Sequence, residues 1–471
     1  MNRWRRSWGW CPWLMAAWLW LGLASATFGA QPLGVRHELP NGLVWLFSQQ
    51  PSLPLVTVHL LIKGGALRDP PGKAGLANLT ALLLTQGTKQ RPAVQIAQEL
   101  DFLGAQLSSR GEDDYNLLTL TVLKKDLPAG LQIFEDILKH PAMAPEEMRR
   151  KVAQLKASLQ SEADDPGLVA GRAFYQRLFG DHPYGHPAKG TPAGLSAITR
   201  QDLVDFHARY YRPNNAILSI VGDLTLEEAQ EWVTRIFGSW EPAPIPALKV
   251  PAPPPLNKKE LKIINKNITQ AHIIWGHLAI SRRHPDFYAF QVMNYLLGGG
   301  GFASRLMDNI RENRGLAYNV GSSFNAGWET GAFAVSLETK NDKADEAVAQ
   351  VIQEIERLRN TPVTEQELDD AQSYLIGSFP RKMDTLGKRA WLLNYIEFYG
   401  LGLDYPERYP EMIRRLRPAD IQQVAQKYLQ PDKYLLVVVG HREKLPKLPD
   451  EDKTPGEKEK EHGSEKGHTS N

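Results

Sequence analysis

A stretch of twenty-five residues occurs twice in this chain, at 199–223 and again at 417–441, with a constant offset of 218. Asp202 answers Asp420, Leu203 answers Ile421, and Tyr210, Pro213, Leu218, Val221 and Gly222 recur as Tyr428, Pro431, Leu436, Val439 and Gly440. Both copies read as an amphipathic helix, a proline-marked turn and a buried apolar strand. One recurrence at this separation specifies two similar globular domains rather than a solenoid of small units. Between the copies, residues 242–255 hold seven prolines, a segment that packs as neither helix nor sheet and runs as a polyproline connector. At 471 residues the chain is too long for one core and suits two of about 200 residues each. The expected organisation is a first domain over 32–241, a connector over 242–256 and a second domain over 257–446. Apolar strands alternate in each with helices such as 227–237 and 345–358, which makes the fold class α+β.

The first 26 residues are not read as part of the fold. Arg3, Arg5 and Arg6 precede an apolar run from Leu14 to Ala24, and Ala24 and Ala26 put small residues at −3 and −1 of a cleavage site. This is the anatomy of a secretory signal peptide, with the mature chain beginning at Thr27. The apolar run falls short of the roughly 20 residues a membrane span needs, so no stable membrane insertion is expected after cleavage. Removing the three arginines from 55 basic residues leaves 52 against 53 acidic ones. Such a balance gives no footprint for nucleic acid. The sole cysteine, Cys11, lies in the leader. Disulfides and thiol catalysis are thereby excluded from the mature chain, and a cysteine-free exported protein fits the periplasm. Residues 447–471 are too charged and too poor in apolar side chains to fold.

Residues 75–88 run Gly-Leu-Ala-Asn-Leu-Thr-Ala-Leu-Leu-Leu-Thr-Gln-Gly-Thr. Further along come Asp181-His182-Pro183-Tyr184-Gly185, Gly190-Thr191-Pro192 and Tyr211-Arg212-Pro213-Asn214-Asn215, after an opening Leu39-Pro40-Asn41-Gly42-Leu43 and the strand 56–62 with Gly64-Gly65-Ala66. In this order the segments resemble the pitrilysin-like (M16) metallopeptidases over nearly the whole mature chain. The resemblance implies two similar LuxS/MPP-like metallohydrolase domains, each a mostly antiparallel sheet with helices layered on one side. In that family the first segment reads Gly-Leu-Ala-His-x-x-Glu-His: two histidines one helical turn apart bind zinc, and the glutamate activates the metal-bound water. Here those positions hold Asn78, Ala81 and Leu82. The third ligand, a glutamate a few residues before an Asp-x-Pro turn, aligns with Ala157 or Ser158. Zinc takes imidazole, thiolate or carboxylate ligands, so no metal is expected in this chain. Glu162 lies about one turn too far along to replace the lost ligand.

The second half keeps what the first has lost. Leu297-Gly298-Gly299-Gly300-Gly301-Phe302-Ala303-Ser304-Arg305-Leu306, followed by Ile310-Arg311-Glu312-Asn313-Arg314-Gly315-Leu316-Ala317-Tyr318, resembles the family's C-terminal segment. There an arginine and a tyrosine seven residues apart reach the substrate backbone, and Arg311 and Tyr318 match that spacing. A guanidinium and a phenol both donate hydrogen bonds to a scissile carbonyl and its oxyanion. The plainer reading is a surface helix residue and a strand residue packed on the core. The four glycines lack the Gly-Lys-Ser/Thr ending of a phosphate loop and read as a close-approach turn. His182 and His186 flank a loop and share no helical face, and no Gly-x-Ser-x-Gly elbow supports serine chemistry.

Some bacterial members of the family divide the work between two homologous chains, one with the zinc motif and the other with the arginine–tyrosine pair. The resemblance therefore implies a non-catalytic, substrate-binding subunit of a heterodimeric periplasmic zinc peptidase. Its partner is a homologous subunit with intact His-x-x-Glu-His, zinc resides in that partner, and the ligand is a peptide. A structural core-type subunit and a stand-alone peptide-binding protein remain as alternatives.

Overall fold

A computed structural model describes residues 32–448. The proposed leader at 1–26 and nearly all of the charged tail lie outside these residues. In the first domain the order is β1 (Val35–Glu38), β2 (Val44–Gln49), β3 (Leu55–Ile62), α1 (Leu76–Leu84), α2 (Ala93–Leu103), β4 (Gln106–Gly111) and β5 (Asn116–Leu123). It continues through α3 (Leu127–Lys139), α4 (Pro145–Ser161), α5 (Pro166–Phe179), α6 (Pro192–Ala197), α7 (Arg200–Tyr210), β6 (Ala216–Gly222) and α8 (Leu226–Phe237). The second domain has β7 (Glu260–Asn265), β8 (Gln270–Leu278), α9 (Phe287–Asn294), β9 (Ala317–Asn325) and β10 (Ala332–Lys340). After these come α10 (Ala344–Asn360), α11 (Glu365–Ser378), α12 (Leu386–Tyr399), α13 (Tyr405–Arg414), α14 (Pro418–Tyr428) and β11 (Leu435–Gly440).

The strand orders are β1-β2-β6-β3-β5-β4 and β7-β11-β8-β10-β9. Without the extra edge strand β1, the two are one topology: β6 lies parallel to β2 and antiparallel to β3, as β11 lies to β7 and β8. The repeated segment is thus the last helix before the returning central strand, α7 with β6 and α14 with β11. Its matched residues have identifiable work. Asp202 and Asp420 each accept a hydrogen bond from the backbone N–H three residues earlier, Thr199 and Arg417, both at 2.8 Å, and so fix the helix start. Gly222 ends β6 where a Cβ would lie 2.2 Å from the Leu55 carbonyl oxygen.

The central strands are apolar on both faces because both faces are covered. In β6, Ala216, Leu218 and Ile220 pack into the first domain's own helices, whereas Ile217 and Val221 belong to a core shared with the second domain. Helix α12 of the second domain lies against β6 and β3, and Ser219 donates to the Asn394 side-chain oxygen across this contact at 2.5 Å. The exchange is reciprocal. Helix α5 of the first domain lies on β8 and β11, where Ala170, Phe174 and Leu178 meet Leu435, Val437 and Val439. Each sheet therefore carries its own helices on one side and a borrowed helix on the other.

Candidate functional site

Helix α1 carries the altered zinc motif, and its side chains are tied into the fold. Asn78 is 6 % exposed, and its Oδ1 accepts a hydrogen bond from the Gly111 N–H at 3.0 Å. A Cβ on Gly111 would lie 2.5 Å from the Asn78 Cα, so helix and strand β4 touch backbone to backbone. Asn116 adds a bond from its side-chain nitrogen to the Ala77 carbonyl at 3.2 Å. Ala81 is fully buried, and Leu82 is half-buried. Ser158, on α4, is exposed and donates to Glu162 at 3.3 Å. Glu162 in turn holds Arg172 at 3.0 Å and Lys189. Among the described residues no group of three or more His, Cys, Asp or Glu side chains is arranged to hold a metal. His182, buried, accepts from the Tyr184 N–H at 3.0 Å through Nδ1 and caps the turn it precedes. Burial, aided by the charge of His186, pushes its imidazole down to about 4.

Arg311 and Tyr318 are brought together. The polypeptide winds as π-helix at Tyr295–Gly299 and again at Met307–Asn313, on either side of the glycine turn; such turns recur at functional sites. A Cβ on Gly298 would lie 2.4 Å from the Ser322 nitrogen, so this glycine marks a close approach. Leu316 and Ala317 are buried and anchor the start of β9, which leaves the next side chain, Tyr318, 78 % exposed. The Arg311 guanidinium carbon sits 4.7 Å from the Tyr318 ring and 4.7 Å from the ring of Phe302, itself 69 % exposed. A loose contact to Glu312 at 3.4 Å is its ion pair. The guanidinium is thus stacked between two rings and keeps most of its donors free. Phe302 was present in the glycine-rich segment, but no spacing rule assigned it a role.

A second feature escaped sequence reasoning entirely. Between the domains lies a cleft of about 990 Å³ that includes Glu112, Asp113, Asp114, Tyr175, Tyr184 and Arg282. Asp114, on the turn from β4 to β5, accepts from the Tyr184 hydroxyl, the Tyr399 hydroxyl at 3.2 Å and the Trp328 N–H at 2.9 Å. Two of these donors come from the second domain, and burial raises the Asp114 carboxyl above its ordinary range. Asp113 is pushed up to about 7 by the surrounding protein and then by Asp114 and Glu112. The signal in the sequence was three consecutive acids between two strands. Neither the α1 positions nor the Arg311 group lines this cleft.

Two domains of one topology, a helix with the frame of a zinc motif and a stacked arginine–tyrosine pair define a duplicated metallopeptidase fold. The family model described as Insulinase (Peptidase family M16) matches residues 44–191, and that described as Peptidase M16 inactive domain matches 197–375. The chain belongs to Peptidase family M16. An uncharacterized zinc protease of Rickettsia bellii is 28% identical over 391 residues, 82% of this chain and 93% of that protein. The non-peptidase homolog YmxG of Helicobacter pylori is 26% identical over 425 residues, 90% of this chain and 98% of that one. The crystal structure of a peptidase M16 inactive domain from Pseudomonas fluorescens superposes with a TM-score of 0.81 at 28% identity, covering 86% of this chain and 98% of that chain.

Proposed function

We propose that this chain is the non-catalytic, substrate-binding subunit of an M16-type zinc peptidase, exported to the periplasm, and that it lends Arg311 and Tyr318 to a homologous partner that holds the zinc. The observation that carries the reading is the contrast between a motif helix whose side chains are bonded into the fold and an arginine held between two exposed rings with donors to spare. In the ground state of a peptide bond those donors meet a neutral carbonyl; in the transition state they meet an oxyanion, which they stabilise more strongly. The Helicobacter relative's name, non-peptidase homolog, supports the absence of peptidase chemistry here. A second reading, a peptide-binding protein that acts alone, draws support from the interdomain cleft.

The test mixes the purified chain with a homologue bearing intact His-x-x-Glu-His. Zinc should appear at about one equivalent in the homologue and at none in this chain, and cleavage of a mixed peptide library should require both. Tightly held zinc in this chain alone, or full cleavage by the homologue alone, would sink the division of labour. Mature protein recovered from the periplasm should begin at Thr27 by mass spectrometry; an intact Met1 in the membrane fraction would contradict export.

A further inference from the structure

Arg282 is 3 % exposed, and among the described residues its side-chain bonds go to tyrosine hydroxyls and not to a carboxylate. It is held instead by rings. Its guanidinium carbon lies 3.9 Å from the centroid of Phe287 and 5.3–5.9 Å from those of Tyr288, Tyr395, Tyr399 and Tyr405. Nε donates to the Tyr395 hydroxyl, and Nη2 donates to the Tyr405 hydroxyl at 3.2 Å. Tyr288 is a third hydroxyl bonded to the guanidinium; five N–H donors against three hydroxyls leave only part of the fork for a ligand. Burying an ion without a counter-ion costs several kcal/mol, and cation–π contacts of about 0.5–2 kcal/mol each offset only part of that. The nearby acid does not serve: Asp114 is engaged by three donors of its own. A second cation deepens the imbalance. The Lys382 ammonium, over the rings of Phe379 and Tyr409 at 5.6 and 5.9 Å, is held below the ordinary lysine range by burial and by the Arg282 charge.

Arg282 also lines the interdomain cleft, whose other walls carry Phe324, Tyr175 and Tyr184 and the acids Glu112 and Asp113. We infer that the cleft is a binding site for a carboxylate-bearing peptide, with Arg282 as the group that receives the carboxylate. A carboxylate oxygen accepts a charge-assisted hydrogen bond from the guanidinium donors that the tyrosines leave free. The aromatic walls suit apolar side chains, and Glu112 and Asp113 repel a dianion such as phosphate while accepting a ligand that is neutral or cationic elsewhere. The cleft lies within this one chain, so the assignment is independent of the zinc-bearing partner and of Arg311.

The experiment is calorimetric titration of the full mature chain with the hexapeptide Ala-Lys-Ala-Leu-Ala-Phe as its free acid and as its C-terminal amide. The acid should bind on the order of tenfold tighter than the amide. In Arg282→Gln the ratio should fall to near one, and Arg282→Lys should retain part of it. Should Arg282→Gln fail to fold, Asp113→Asn decides at pH 8, where the Asp113 carboxyl is ionised, because that side chain reaches solvent: removing a like charge should tighten the acid roughly two- to fourfold. Equal binding of acid and amide, no binding of either at millimolar concentration, or weaker binding of the acid in Asp113→Asn would overturn the site. Acetate that displaces the peptide at equal concentration would overturn its assignment to peptides.

Discussion

Helix α1 and the segment 298–318 hold their polar groups in opposite ways. Asn78 is turned into the fold, and its oxygen satisfies the Gly111 N–H. Arg311 and Tyr318 are turned out of it, stacked on each other and on Phe302, with few bonds to the rest of the chain. Asn78, Ala81 and Leu82 follow the ordinary rules of a protein interior, where each buried donor needs an acceptor and each cavity a filler. The exposed Tyr318 and the partly exposed Arg311 follow no such rule.

The sharpest way to break this contrast is to measure the same quantity on both sides of it. In the reconstituted pair, Arg311→Ala should lower turnover on the order of 10²-fold, about 3 kcal/mol in the barrier, with assembly unchanged by size. Asn78→Ala should leave turnover within about twofold. Equal effects of the two substitutions on turnover would erase the distinction, and no effect of Arg311→Ala would place the chain among structural subunits.

Stability should show the inverse order. Asn78→Ala removes the partner of the half-buried Gly111 N–H and should cost about 0.5–1.5 kcal/mol in urea unfolding, whereas Arg311→Ala should change stability by less than about 0.5 kcal/mol. Smaller still is Phe302→Ala, which removes one face of the stack. It should reduce turnover by about two- to fivefold, the equivalent of one exposed cation–π contact. A loss as large as that of Arg311→Ala would mean that Phe302 itself touches substrate.

What the sequence made legible was whatever lies close together along the chain. The repeat around Asp202 and Asp420 was readable because caps, proline turns and apolar strands are local. Helices expected at 227–237 and 345–358 are found as α8 and α10. The seven-residue spacing of Arg311 and Tyr318 was readable for the same reason, although the third member of the stack, Phe302, was not. The exchange of α5 and α12 between sheets left only an indirect trace, the two-sided apolarity of β6 and β11. Arg282 was unreadable in principle: its cage gathers rings from 287 to 405, and a missing counter-ion is a fact about space rather than spacing.

The two regions differ from the interdomain cleft in one further respect, its response to pH. Asp113 in the folded protein is pushed up to about 7 from 3.8, chiefly by the surrounding protein and then by Asp114 and Glu112. An unfolded chain releases this proton near 3.8, so between these values the folded state binds more protons than the unfolded one. Stability from this group is therefore greatest at low pH and falls as pH rises toward 7. Asp113→Asn removes the penalty. The variant should be more stable than wild type at pH 8, by less than about 1 kcal/mol because the group reaches water, and should show no such gain at pH 4. Urea midpoints at the two pH values decide it. A gain of the same size at both would trace the effect to packing rather than charge, and a loss at pH 8 would mean that the Asp113 carboxylate has a partner that stabilises its ionised form.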